Sequence, residues 1–357
     1  MLFRSKIAVS TLWQIASQAL MAAMSAVSVK FVAIGLSKEL AGAYNSAYGF
    51  LQLFAILADF GLYAVSVREV SRATDRERVL GALLVLRCCI TVVSLGMAVM
   101  IAWIVPSWQG TVLPMGITIA AFVPFFTLLA GVLRTTFQIT YSMQYVFIAE
   151  VLQRVLTMSL MGFMIFYGIR GSTDPNVYHL FLGVGSLGAL LLFVLSLIFS
   201  LRKLPLRPCF DRAMLLSLLR RSAPYGVAFL CIALYRQFDL TLIALLREDF
   251  RLQNAEYGFA LRLTEMTYLL PTFLLNSTLP ILSEQSHRGE DTKNFLGMTL
   301  LSIMVLGAIT SLFSWLWARP LMQLLTTDAY LSTALKPGAD TALAYLALPM
   351  FLNGDWK

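Results

Sequence analysis

Arg236 and Asp239 stand three residues apart in LYRQFDLTLIALL, residues 234–246, inside an apolar run that starts at Ala223. Arg262 and Glu265 repeat that spacing, and Glu150 and Arg154 lie four apart in an earlier apolar run. Residues three or four apart share a helix face, so each pair either neutralises itself or presents two charges to one neighbour. Ionised groups in runs of this kind are costly, and they face a bundle interior or a water-filled cavity. There a guanidinium or ammonium would bind an oxyanion, and a carboxylate would take up a coupling proton or sodium ion. Lys30, with no acid within a helical turn, and Asp59 complete the set. The candidate substrate-binding residues are therefore Lys30, Arg154, Arg236, Asp239, Arg262 and Glu265; the candidate ion-coupling residues are Asp59 and Asp239. A plainer alternative stands beside this: the pairs only ease insertion of their helices, and Lys30 snorkels to the interface. Tyr44, Tyr48, Tyr235 and Tyr257 are candidates for stacking on a ligand, with packing or an aromatic belt as the alternative.

Other chemistries find no support. Cys88, Cys89, Cys209 and Cys231 show no CxxC or metal-ligand spacing, so neither a metal nor a cofactor is expected. The two histidines, His179 and His287, fall at a helix start and in a loop. No Walker A, GxSxG or HExxH pattern is present, and the loops expected outside are short, so no enzyme is expected.

The elements that must position these charges follow from composition. The chain is 59% hydrophobic and 13% charged, with a mean hydropathy of +0.77; soluble domains average about 25% charged. Ten apolar segments lie near 8–36, 42–67, 80–105, 112–133, 144–169, 177–200, 223–246, 255–283, 295–317 and 339–354. Several reach the roughly 20 residues that a bilayer core demands of a helix, and they alternate too weakly for barrel strands. The expectation is an all-α polytopic membrane protein of about ten transmembrane helices, the first of them an uncleaved start. The net charge of +8 falls mostly in short loops, as topology signals do, and no nucleic-acid partner is expected. Placing the N-terminus in the cytoplasm puts fifteen Lys and Arg inside against six outside.

Two basic stretches read as amphipathic and suited to anionic lipid headgroups. In REVSRATDRERVLG, Arg68, Arg72 and Arg76 recur every four residues and would share one face. The other, spanning residues 201–222, divides a six-helix lobe (1–200) from a second lobe (223–357) of about four segments. AGAYNSAYGFLQLFAILADFGL and NAEYGFALRLTEMTYLLPTFLL echo each other, with Tyr44 set against Tyr257. Repeats with even helix numbers are parallel and form a two-lobed bundle around a central polar cavity. Six segments would then be expected in the second lobe, so the chain is read as lacking about two C-terminal helices or as having a shorter second lobe.

Several of these stretches resemble the polysaccharide flippases of the MOP superfamily. ELAGAYNSAYGFLQLFAILADFGLYAVSVREVSR is similar to that family's second-helix region, and APYGVAFLCIALYRQFDLTLIALL to its seventh helix, with Tyr235 and Asp239 in a Tyr-x-x-x-Asp pattern. NAEYGFALRLTEMTYLLPTFLLNSTLPILSE resembles the eighth, with Tyr257, Arg262, Pro271, Pro280 and Ser283, and ARPLMQLLTTDAYLSTA resembles the loop after the ninth. The resemblance implies transfer of an undecaprenyl-diphosphate-linked oligosaccharide from the cytoplasmic to the outer leaflet of a bacterial or archaeal cell membrane, by alternating access. It also implies a polyprenyl-diphosphate-linked glycan, anionic lipids and polysaccharide polymerase machinery as partners. The alternatives are a cation-coupled multidrug or small-molecule antiporter of the same superfamily and a non-transporting membrane assembly protein.

Overall fold

The computed structural model of the protein describes residues 20–59, 61–205, 209–267 and 293–352. Helices dominate the described residues: α1 (Leu20–Gly35), α2 (Lys38–Asp59), α3 (Leu62–Arg72), α4 (Arg76–Ile104), α5 (Leu113–Ala120), α6 (Phe122–Ile139), α7 (Gln144–Phe166) and α8 (Pro175–Leu201) form the first half. The second half holds α9 (Arg212–Leu246), α10 (Phe250–Thr267), α11 (Lys293–Leu316), α12 (Ala318–Leu325) and α13 (Ala339–Leu352). Five spans among the described residues are long and apolar enough to cross a membrane: α4, α5 with α6, α7, α8 and most of α11. The chain is thus an all-α polytopic membrane protein.

Two segments break where the apolar pattern runs on, and one basic stretch does not form a single helix. The expected span 42–67 ends with α2 and restarts as α3, around Gly61 at φ 69°. A Cβ at Gly61 would lie 2.5 Å from Tyr225 Cβ and 2.9 Å from the Gly226 nitrogen. A left-handed residue without a side chain is what lets α9 cross there. The expected span 112–133 is divided at Ala121 into α5 and α6. Pro124, in the first turn of α6, has no N–H to give to the preceding turn. Arg68, Arg72 and Arg76 do not share one face, because α3 ends at Arg72 and Asp75 caps a new helix by accepting from the Arg78 amide at 3.1 Å.

The basic stretch after α8 becomes helical at Arg212, where Asp211 caps α9 by accepting from the Ala213 and Met214 amides at 3.0 and 3.4 Å. That helix runs without interruption through Pro224. Its first turns bury Leu218 with Leu62 and Val70 of α3, Leu80 and Leu83 of α4 and Val132 of α6. Arg221 pairs with Glu69 at 2.6 Å and Arg78 with Asp211 at 3.1 Å. The start of the second half is therefore seated on the first.

At the opposite end, which bears Lys38, the halves interlock by close backbone approach. A Cβ at Gly42 would lie 1.6 Å from the Arg251 carbonyl oxygen, and one at Gly258 would lie 2.7 Å from Asn45. Asn45 donates to the Asn254 carbonyl at 3.1 Å; Asn254 donates to Ser46 Oγ and the Leu240 carbonyl at 2.8 and 2.9 Å. Lys38 pairs with Glu256 at 2.5 Å. These partners also set the repeat. Asn-x-x-Tyr-Gly-Phe occurs at 45–50 and again at 254–259, so Tyr48, one turn beyond Tyr44, is the counterpart of Tyr257. Phe50 meets Trp108 edge-on at 5.1 Å, and Phe259 meets Tyr330 edge-on at 5.2 Å. Trp108 and Tyr330 each end a short 3-10 turn.

Candidate functional site

Two adjoining chambers, of about 440 and 490 Å³, lie within the bundle. Residues from α1, α2, α7, α9 and α10 line the first, and residues from α1, α2, α6, α7, α8 and α10 line the second. Met21, Ser25, Tyr48, Arg154 and Arg262 belong to both, which makes the space continuous. The interlocked Lys38 end closes it on one side; it extends toward the Arg78 end as far as Arg134 and Glu150. Ser25 and Ser28, from the hydroxyl-bearing face of α1, add polar lining.

Among the described residues, three arginines (Arg134, Arg154, Arg262) and two glutamates (Glu150, Glu265) line the chambers, a formal excess of one positive charge. Glu150 is engaged by Arg134, whose Nη1 donates to its Oε1 at 3.3 Å. The Arg154 Nε is buried and has no hydrogen-bond partner among the described residues. Arg262 lines both chambers with it. The Arg262 guanidinium carbon lies 5.5 Å from the ring centroids of both Tyr44 and Tyr48, which are themselves 4.8 Å apart. Two guanidinium groups thus line one continuous space, an arrangement suited to an anion with more than one charged oxygen.

Of the residues selected by sequence, Arg154, Arg262 and Glu265 meet at this site. Lys30 does not reach the chambers: it donates to the backbone carbonyls of Gln323, at 3.1 Å, and Thr326. It thereby neutralises the partial negative charge at the C-terminus of α12. Asp59 lies outside the chambers too, paired with Arg87 of α4, whose side chain is only 3% exposed. Asp239 accepts a hydrogen bond from Tyr257 Oη at 2.5 Å and lines neither chamber, although its neighbour Leu240 lines the first. Arg236 lies in α9, and its side chain falls outside those described. Pro271, Pro280, Ser283 and His287 also lie outside the described residues. Sequence reasoning missed Arg87 and Arg134. Arg87 sits in an apolar run and meets the criterion that selects Arg154; the apolar segment 112–133 stops one residue short of Arg134, whereas α6 continues past it to Ile139.

A helical bundle spanning the membrane, with charged side chains lining a space between its helices, is the architecture of a transporter. The profile of the family described as polysaccharide biosynthesis protein matches residues 7–286, and the chain belongs to that family. No curated protein matches significantly. A solved structure, the inward-facing conformation of a multidrug resistance MATE family transporter of the MOP superfamily, superposes with a TM-score of 0.57. That likeness carries 13% sequence identity and covers 93% of this chain and 80% of that one. Family and fold together are those of a MOP-superfamily membrane transporter.

Proposed function

We propose that the protein moves a polyprenyl-diphosphate-linked oligosaccharide from the cytoplasmic to the outer leaflet of a bacterial or archaeal cell membrane, for surface polysaccharide biosynthesis. The observation that carries this reading is the pairing of Arg154 and Arg262 in one continuous space, neither with a carboxylate hydrogen-bonded to it among the described residues. A diphosphate head cannot cross hydrocarbon uncovered, because its oxygens would lose their hydration with no replacement. The polyprenyl tail, by contrast, can stay in lipid throughout. The chamber volumes fall within the range of small-molecule sites, roughly 300–1,000 Å³.

Orientation supports the direction of transfer. With the basic loops and the N-terminus in the cytoplasm, the interlocked Lys38 end is the outer one. The space then extends toward the side from which substrate would enter. In this reading residues 1–200 and 223–357 are the two lobes that rock against each other, and residues 201–222 join them. Anionic lipids along the basic cytoplasmic face and polysaccharide polymerase machinery are the partners the reading entails. The net positive lining among the described residues suits an anionic head better than a cationic small molecule carried by the antiporter alternative.

Proteoliposomes loaded with a fluorescent geranylgeranyl-diphosphate disaccharide provide the test, with leaflet location read by dithionite quenching. The protein should accelerate transfer over protein-free vesicles, and Arg154→Gln and Arg262→Gln should each remove most of the acceleration. A wild-type rate equal to that of empty vesicles, beside rapid uptake of a lipophilic cation, would refute the proposal.

A further inference from the structure

We infer that Tyr44 and Tyr48 are positioning residues that hold Arg262 against their ring faces and so leave its N–H edge for the ligand. The inference rests on the transport reading above and adds a selection rule to it: the site reads the two-pronged shape of an oxyanion, not charge alone.

The basis is the way the cations of this chain are held. Arg87 directs Nε, Nη1 and Nη2 at backbone carbonyls and Asp59. Lys30 is engaged by two carbonyls, and Arg134 by Glu150. Each of these has hydrogen-bonding capacity committed to the protein. Arg262 is different. Among the described residues its guanidinium carbon lies over two tyrosine rings, 5.5 Å from the centroid of each. An aromatic face attracts a cation without accepting through its N–H groups. A guanidinium fixed this way keeps its planar fork of donors, which fits two oxygens of a phosphate or diphosphate; a lysine ammonium presents only a point charge.

The rings are themselves placed. Tyr44 and Tyr48 are one turn apart on α2, so their rings lie together as a pad. On the far side, α8 carries a notch: a Cβ at Gly185 would lie 2.6 Å from Tyr48 Oη. Gly183, two residues earlier, meets nothing within 4 Å, so the close fit belongs to the position facing Tyr48. Glycine is disfavoured within a helix relative to alanine, and at 185 it gives the tyrosine hydroxyl its room.

Binding of geranyl diphosphate and geranyl monophosphate to the purified full chain in nanodiscs tests this, with unfolding temperature recorded for every variant. The wild type should bind the diphosphate more tightly. Arg262→Lys, which keeps the charge, should weaken diphosphate binding by roughly tenfold and erase the preference, the scale of one lost charge-assisted contact. Tyr44→Leu/Tyr48→Leu should do the same, and the ring-preserving Tyr44→Phe/Tyr48→Phe should recover what the leucines lose. Gly185→Ala should weaken binding by pushing the hydroxyl, and adding Tyr48→Phe should restore it. This last pair decides the matter if the leucine variant does not fold. Undiminished diphosphate preference in Arg262→Lys, or no rescue of Gly185→Ala by Tyr48→Phe, overturns the role of the pad while leaving an anion site in place. Absence of any diphosphate binding in the wild type overturns both the pad and the transport reading.

Discussion

Arg87 commits each of its guanidinium nitrogens to α2 and α6: Nε to the Leu128 carbonyl, Nη1 to the Ala58 and Asp59 carbonyls, Nη2 to the Asp59 carboxylate. Replacing one member of such a buried pair strands the other. Arg87→Leu should destabilise the protein by about 3–5 kcal/mol, while Arg87→Leu/Asp59→Leu should recover much of that loss. Thermal unfolding in detergent measures both, and equal melting of the single and double variants would count against a matched pair. Cys209 offers a second residue-scale test. It sits outside the spans, and the hydrogen bond from Arg78 Nε at 3.4 Å holds its thiol below the usual cysteine range. The thiolate is the reactive form, so Arg78→Gln should raise the thiol and slow maleimide labelling near pH 8 in a chain whose sole cysteine is Cys209. Labelling at an unchanged rate and pH midpoint would show that Arg78 does not tune it. These two residues also mark what sequence could show. The rule that charge in an apolar run faces inward selects Arg87 as readily as Arg154 and Arg262, but spacing reveals only partners within a helical turn. Asp59 and Arg87 are 28 residues apart, and Lys30 meets Thr326 from 296 residues away.

At the scale of elements, α9 is the helix with two allegiances. Its first turns belong by packing to α3, α4 and α6, and its last turns reach the Lys38 end, where the Ala244 carbonyl accepts from Trp108 Nε1 at 2.8 Å. Asp211 starts it, both as cap and as partner of Arg78. A lost cap costs typically about 1 kcal/mol, whereas an exposed ion pair is worth between about 0 and 1. Asp211→Ala should therefore lower the unfolding temperature more than Glu69→Ala, which breaks only the Arg221 pair. Asp211→Asn, still able to cap, should behave like the wild type; if it matches the alanine variant, the ion pair outweighs the cap. Helix positions were legible because twenty-residue apolar runs are unambiguous, and the break near Pro124 had a local cause. The break at Gly61 had none that a linear reading could weigh: its reason is the backbone of α9, more than 160 residues further along.

Across the whole molecule, the contact between α2 and α10 at the Lys38 end determines whether the chambers can reach that side. Gly42 has no room for a methyl group against the Arg251 carbonyl. Gly42→Ala should push α2 and α10 apart there, and a cysteine placed at the buried Ser46 should become labelled by a membrane-impermeant maleimide. Silence at that position in the alanine background would mean the helices adjust without parting. The recurrence of Asn-x-x-Tyr-Gly-Phe carries a consequence of another kind. Asn45 and Asn254 occupy the same place in their two copies, and they touch. In a single chain that is a contact between different residues. In a dimer of identical halves it would be one residue meeting its own image across a two-fold axis, as isologous interfaces require. The contact between the two copies thus has the form of a subunit boundary, one that two separate copies of the pattern would also present. The two copies nonetheless hold their tyrosines differently: Tyr257 donates to the Asp239 carboxylate, and Tyr48 faces the Arg262 cation.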